Sequence, residues 1–113
     1  TIDDETGKAK SIVKIYMKDG KAYGKIVDLI DPDEPNPKCT ECTDHRKDKP
    51  MIGMNIITGL TKEGDKWEGD KAILDPENGK IYDCKIWTEG SNKLKVRGYI
   101  SFLYRTQVWY KAD

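Results

Sequence analysis

The sequence predicts an all-β protein, a small eight-stranded antiparallel up-and-down β-barrel, and three observations carry that prediction. Hydrophobic runs of strand length recur from Ser11 to Tyr110, Gly, Asn and Asp turns separate them, and no segment of helical period lies between. Closure into a barrel removes the exposed sheet edges that a chain so rich in strands must otherwise protect.

The opening Thr1 to Lys8 reads as the end of a strand followed by an acidic turn, because Asp, Thr and Gly supply side-chain bonding and permissive backbone angles. From Ser11 to Lys18, Val13, Ile15 and Met17 alternate with Lys14, Tyr16 and Lys18, a period of two, and Asp19-Gly20 follows as a hairpin turn. The next run, Ala22 to Ile30, pairs back on it. Its parity is mixed, with Ile26 and Ile30 on one face and Tyr23, Val27 and Leu29 on the other; Ile26 is expected inward beside Gly24.

A loop from Asp31 to Pro50 carries four prolines and is far longer than the usual connection of about 4–6 residues, a length that goes with function or with tethering. Ile52, Met54 and Ile56 then resume an alternating strand, and Lys62 to Asp65 turns the chain into Trp67 to Leu74. There Trp67 and Ile73 share one parity and Ala72 and Leu74 the other, as a β-bulge would produce. Asp75-Pro76-Glu77-Asn78-Gly79 is a strong turn, after which Tyr82, Cys84 and Ile86 oppose Asp83, Lys85 and Trp87. Glu89 to Asn92 turns again into Leu94, Val96, Gly98 and Ile100, set against Lys93, Lys95, Arg97 and Tyr99. The last strand puts Thr106, Val108 and Tyr110 on one face and Gln107 and Trp109 on the other. The seven runs and the incomplete first strand make about eight, the number at which a barrel interior is filled or holds one small ligand.

The totals agree with one compact unit. At 113 residues the chain is expected to form one domain over 1–113 around one core. Twenty Lys and Arg balance twenty Asp and Glu, so no net field draws the protein towards nucleic acid or an anionic membrane. The charges alternate with Val, Ile, Leu, Tyr and Trp, which argues against disorder. No apolar run approaches the ~20 residues of a membrane-spanning helix, so no membrane span is expected.

The order of several short segments has a counterpart elsewhere. Pro50-Met51-Ile52-Gly53-Met54, Gly64-Asp65-Lys66-Trp67-Glu68-Gly69, Ile73 to Cys84, Leu94-Lys95-Val96-Arg97-Gly98-Tyr99-Ile100 and Arg105-Thr106-Gln107-Val108-Trp109 occur in sequence, preceded by Asp4 to Lys8 and Tyr23-Gly24-Lys25-Ile26. In this order the chain resembles the bacterial family called domain of unknown function 2147. The resemblance implies a lipocalin-like barrel, export to the periplasm or beyond, no catalytic residues and a role in holding a small apolar molecule.

Few residues offer chemistry. Cys39 and Cys42, with Asp44 and His45 nearby, have spacings that a zinc ion accepts, but a fourth ligand is missing from the loop. A thioredoxin-like role would need the pair at a helix N-terminus, whereas this loop precedes a strand. In an exported protein the expected state is a Cys39–Cys42 disulfide, with metal ligation and free thiols as the alternatives. His45 is the sole histidine, so a hydrolase-like triad would have to be assembled from this loop. Cys84 reads as a small buried hydrophobe. Lys93, Lys95 and Arg97 read as a solvated outer face, although a ligand carboxylate or phosphate has use for such a stripe. No cofactor and no metal site are expected.

The residues expected to face the barrel interior are Val13, Ile15, Met17, Ile26, Met54, Ile56, Tyr82, Ile86, Val96 and Ile100. They serve either as an interlocked core or, with space left by Gly24, Gly53 and Gly98, as the wall of a ligand cavity in which the Tyr82 hydroxyl orients a polar head. The function expected is that of a non-enzymatic exported protein binding a small hydrophobic ligand inside the barrel. The alternative is a protein-interaction module that presents the Asp31 to Pro50 loop to a protein partner.

Overall fold

The computed structural model describes residues 11–30, 37–76, 78–100 and 103–110. Seven strands follow one another: β1 (Ser11–Lys18), β2 (Lys21–Leu29), β3 (Asn55–Glu63), β4 (Lys66–Leu74), β5 (Ile81–Glu89), β6 (Lys93–Ile100) and β7 (Leu103–Tyr110). They form one antiparallel sheet in sequential order, a meander that curves into a half-barrel. Among the described residues β1 and β7 each have a single neighbour. The additional strand expected over the opening residues lies outside the described residues, as does the part of the long loop from 31 to 36.

The turns form where Gly and Asp allow left-handed backbone. Asp19 (φ 54°) and Gly20 (φ 78°) both take positive φ between the paired Lys18 and Lys21, the signature of a tight hairpin that matches the twist of its strands. The pairing of Val13 with Ile26, Ile15 with Gly24 and Met17 with Ala22 sets the inward face of the first hairpin. The same parity runs on through Cys84 with Gly98, Ile86 with Val96 and Leu94 with Trp109.

Irregularities decide which side chains enter the core. The register shifts between Ile12 and Val13, so Val27 is left without a partner and stands exposed, which resolves the mixed parity of this run. In β4 the register shifts between Gly69 and Ile73, with Lys71 at φ 49°, and beyond it Ala72 and Leu74 are buried. The bulge expected from the sequence is therefore present. Gly69 faces inward: a Cβ on it would stand 3.1 Å from that of Ala72 and 3.2 Å from Leu60 Cδ2.

The strand expected to begin at Ile52 starts instead at Asn55. Ile52 is exposed in the preceding turn, and Met54 is buried there without belonging to the sheet. Ile56 and Ile57 are both buried and members of the core, a departure from strict alternation. One apolar cluster results, built from Ala22, Ile26, Ile57, Leu60, Ala72, Leu74, Ile86, Val96 and Trp109, with Cys39 and Cys42 among its members.

The described part of the loop is tied to the end of the sheet where β2 meets β3. Lys38 and Pro50 form an isolated bridge, Cys39 N–H donates to Lys49 C=O at 2.9 Å, and Met51 N–H donates to Pro37 C=O at 2.9 Å. Ile26 and Gly53 complete the docking, since Ile26 N–H donates to Met54 C=O at 2.9 Å and Gly53 N–H to Ile26 C=O at 2.6 Å. Among the described residues no helix is long and apolar enough to cross a membrane.

Candidate functional site

The inward face of the sheet separates into a packed floor and two exposed margins. Of the ten residues expected to face the interior, Ile26, Met54, Ile56, Ile86 and Val96 are buried in the core, and Val13 and Tyr82 are half-buried beside it. The other three depart from a buried barrel lining: Ile15 is 38% exposed, Met17 53% and Ile100 54%. Their parity is inward, since Ile15 lies over Gly24 and Met17 opposite buried Ala22. Their exposure follows from position, because Ile15 and Met17 stand on β1, which has no second neighbour among the described residues, and Ile100 is the last residue of β6. Leu103, paired with Ile100, is 64% exposed on the same face.

Tyr82 sits between floor and margin. A Cβ on Gly98 would meet the Tyr82 ring at 3.7 Å, so the missing side chain at Gly98 gives the ring its place. The Tyr82 hydroxyl accepts a long hydrogen bond from Asn78 Nδ2 at 3.4 Å.

Trp109 is buried and was not among the expected interior residues. Its inward parity was available from its alternation with Val108 and Tyr110, but polar Gln107 on the same face masked it. The indole N–H donates to Gln107 Oε1 at 3.0 Å, so the polar neighbour serves the buried ring. Leu103 carried no signal, since it precedes the alternating part of its strand.

The loop closes over one end of this face. Cys39 and Cys42 form a disulfide and both are fully buried, so their sulfurs are committed to each other and to the core. Arg46 anchors the chain beyond them: its Nε and Nη2 reach the Asp44 carboxylate, the latter at 2.6 Å, and Nη1 donates to Asn55 C=O at 2.9 Å. The Arg46 guanidinium holds the Asp44 carboxyl down at about 2. His45 points away, exposed, with Nδ1 4.0 Å from Asp44. Between this loop and β3 lies a cleft of about 430 Å³, lined by His45, Arg46, Ile52, Met54, Asn55 and Thr58 among others.

Burial pushes the Cys84 thiol up to about 12, so it stays protonated and unreactive inside the core. Among the described residues no three His, Cys, Asp or Glu side chains converge as a metal site.

The outward face of β4 to β7 is of a different character. Lys85 Nζ lies 3.3 Å from Glu68 and Lys95 Nζ 3.6 Å from Glu89, while Arg97 lies among aromatic rings. The stripe expected to be a simple solvated face is thus an ordered array of cations and rings.

A curved antiparallel meander with an apolar inner face and one capped end defines a lipocalin-like fold. It is similar in structure to protein HP1028 from the human pathogen Helicobacter pylori, described as belonging to the lipocalin family, with a TM-score of 0.80 at 16% identity over 98% of this chain and 78% of that one. This likeness concerns the fold. By sequence the chain belongs to domain of unknown function 2147, a family described as uncharacterized and conserved in bacteria, which it matches over residues 1–111. No curated protein matches it.

Proposed function

We propose that this is a non-enzymatic exported carrier, which closes as an eight-stranded up-and-down barrel and holds a small hydrophobic ligand against its inner face. The observation that carries the proposal is the exposure of Ile15, Met17, Ile100 and Leu103 on the face whose centre is the core. Large apolar side chains left in water forgo about 25 cal/mol for each Å² that a ligand would cover. The lipocalin-like fold supports such a ligand, and the buried disulfide fits an oxidising compartment. Unbranched, flexible Met17 suits a wall that adapts to its occupant.

The test is native mass spectrometry of the protein isolated from the export compartment of its own host. A small apolar molecule released on denaturation is the expected result, with one intact disulfide. A bare polypeptide mass, or recovery of the protein from the cytoplasm with reduced cysteines, overturns the carrier or its location respectively.

A second reading, a protein-interaction module, is favoured by the tethered loop and the 430 Å³ cleft it forms with β3. On this reading a specific partner is lost on Ile52→Asp, which alters the exposed rim of the cleft and leaves the barrel face untouched.

A further inference from the structure

The outward face of β4 to β7 carries a row of alternating cations and rings that the carrier reading does not use. Lys66 Nζ lies 4.9 Å from the centre of the Trp87 ring, and the Arg97 guanidinium lies 5.0 Å from Trp87 and 4.3 Å from Tyr104. Tyr99 and Tyr104 stand 5.7 Å apart and tilted, Tyr99 reaching the same guanidinium at 6.0 Å. Thr106 Oγ1 accepts a 2.7 Å hydrogen bond from Arg97 Nε, and the Tyr99 hydroxyl a longer one from Nη1. Rings on several sides and a fixed Nε make Arg97 a rigid cation rather than a mobile surface one.

The two lysines paired beside it on β5 and β6 are neutralised and it is not. Lys85 is paired with Glu68 and Lys95 with Glu89, whereas among the described residues Arg97 has no carboxylate within ion-pair distance. Its guanidinium therefore keeps donors for an external carboxylate, which it binds best through two parallel bonds.

Next to this row lies a groove of about 550 Å³, lined by Thr61, Glu68, Asp70, Asp83, Lys85 and Tyr99 among others. The two features are continuous, since Lys85 pairs with Arg97 and Asp83 with Tyr99 across β5 and β6. The groove offers hydroxyl, ammonium and carboxylate groups in close alternation. Such a set accepts from and donates to a polyhydroxylated ligand, while a flat ring such as Tyr104, 60% exposed, covers the C–H face of a sugar.

We propose that this face is a binding site for a saccharide bearing a single carboxylate, with that carboxylate on Arg97, a pyranose face on Tyr104 and neutral hydroxyls in the groove. A polyphosphate chain fits less well, because Glu68, Asp70 and Asp83 would repel successive phosphates along the groove. The site is separate from the inner face and stands or falls independently of the carrier.

The test is calorimetric titration of the whole protein near physiological ionic strength with sialyllactose, which carries a single carboxylate on an otherwise neutral chain, with maltotriose as the uncharged probe and a ten-residue oligothymidylate as the polyanionic one. The expected result is binding of sialyllactose, weakened at least about tenfold by Arg97→Gln and by Tyr104→Ala, and correspondingly weak binding of maltotriose. Tyr104 is exposed on the outward face, so its variant tests the site without disturbing the core, and thermal unfolding of both variants checks that the fold is kept. Equal binding of maltotriose, tighter and salt-sensitive binding of the oligothymidylate, no heat with any probe at millimolar concentration, or undiminished affinity in both folded variants would each overturn the proposal.

Discussion

Gly79 lies directly against the backbone of Glu41: a Cβ built on Gly79 would stand 1.7 Å from the Glu41 carbonyl oxygen and 3.0 Å from Cys42 N. The turn between β4 and β5 and the disulfide loop are thus docked backbone to backbone. The left-handed conformation of Gly79 (φ 72°), closed by its N–H donating to Asp75 C=O at 2.8 Å, makes that approach possible.

Gly79→Ala therefore meets two obstacles at once, a strained φ and a main-chain clash that no rotamer relieves. The expected loss of stability exceeds about 1 kcal/mol, read as a lower urea midpoint. An unchanged midpoint would mean that the loop does not rest on this turn.

The Cys39–Cys42 bond closes a small ring, so the chain-entropy contribution is modest, about 2 kcal/mol. Urea unfolding with and without reductant is expected to differ by about that amount with a similar slope, because both sulfurs are buried and their loss disturbs the loop rather than the sheet. A reduced protein as stable as the oxidised one would assign the cap to Arg46 and backbone bonds alone.

Asp44 titrates lower in the folded protein, at about 2, than its ordinary value of 3.8, because the Arg46 guanidinium favours its charged form. A depressed folded value contributes stability that is fully present above the unfolded value and is lost as pH falls through the folded one. Stability is expected to decline between about pH 4 and pH 2, and Asp44→Asn to flatten that part of the profile. Denaturant unfolding at stepped pH measures it, and an identical decline in the variant would place the titration elsewhere.

Cys84 is 2% exposed, with its thiol pushed up to about 12 by desolvation. Iodoacetamide at mildly alkaline pH is expected to leave the native, oxidised protein unmodified and to add one adduct after denaturation, counted by intact mass. Rapid native labelling would show that β5 opens far more readily than its buried inward face suggests.

Much of the fold was legible before any coordinates. Strict alternation over Leu94 to Ile100 and Tyr82 to Trp87 corresponds to the registered pairing of Cys84 with Gly98 and Ile86 with Val96, and Asp19-Gly20 is the turn its composition foretold. Less was legible where the chain breaks period. Alternation puts Val27 on the face of Leu29, but as a bulge residue it stands outside the pairing. Alternation begins a strand at Ile52, but the loop bonds through Met51, Gly53 and Met54 first. Arg97 read as one more solvated cation, because a sequence does not show that Trp87 and Tyr104 from the flanking strands will bracket it.

The sequence by itself determined where strands run, which side chains share a face and where the turns fall, because a period of two and the backbone freedom of Gly and Asp are local properties. The tertiary structure decided which of those faces is covered. It set Ile57 and Leu60 into the floor, left Ile15, Met17 and Ile100 on the margins, docked Glu41 and Cys42 against Gly79, and gathered rings around Arg97. Burial depends on which strand becomes a neighbour and on how a bulge shifts the register, and both arise from contacts between residues far apart in the chain.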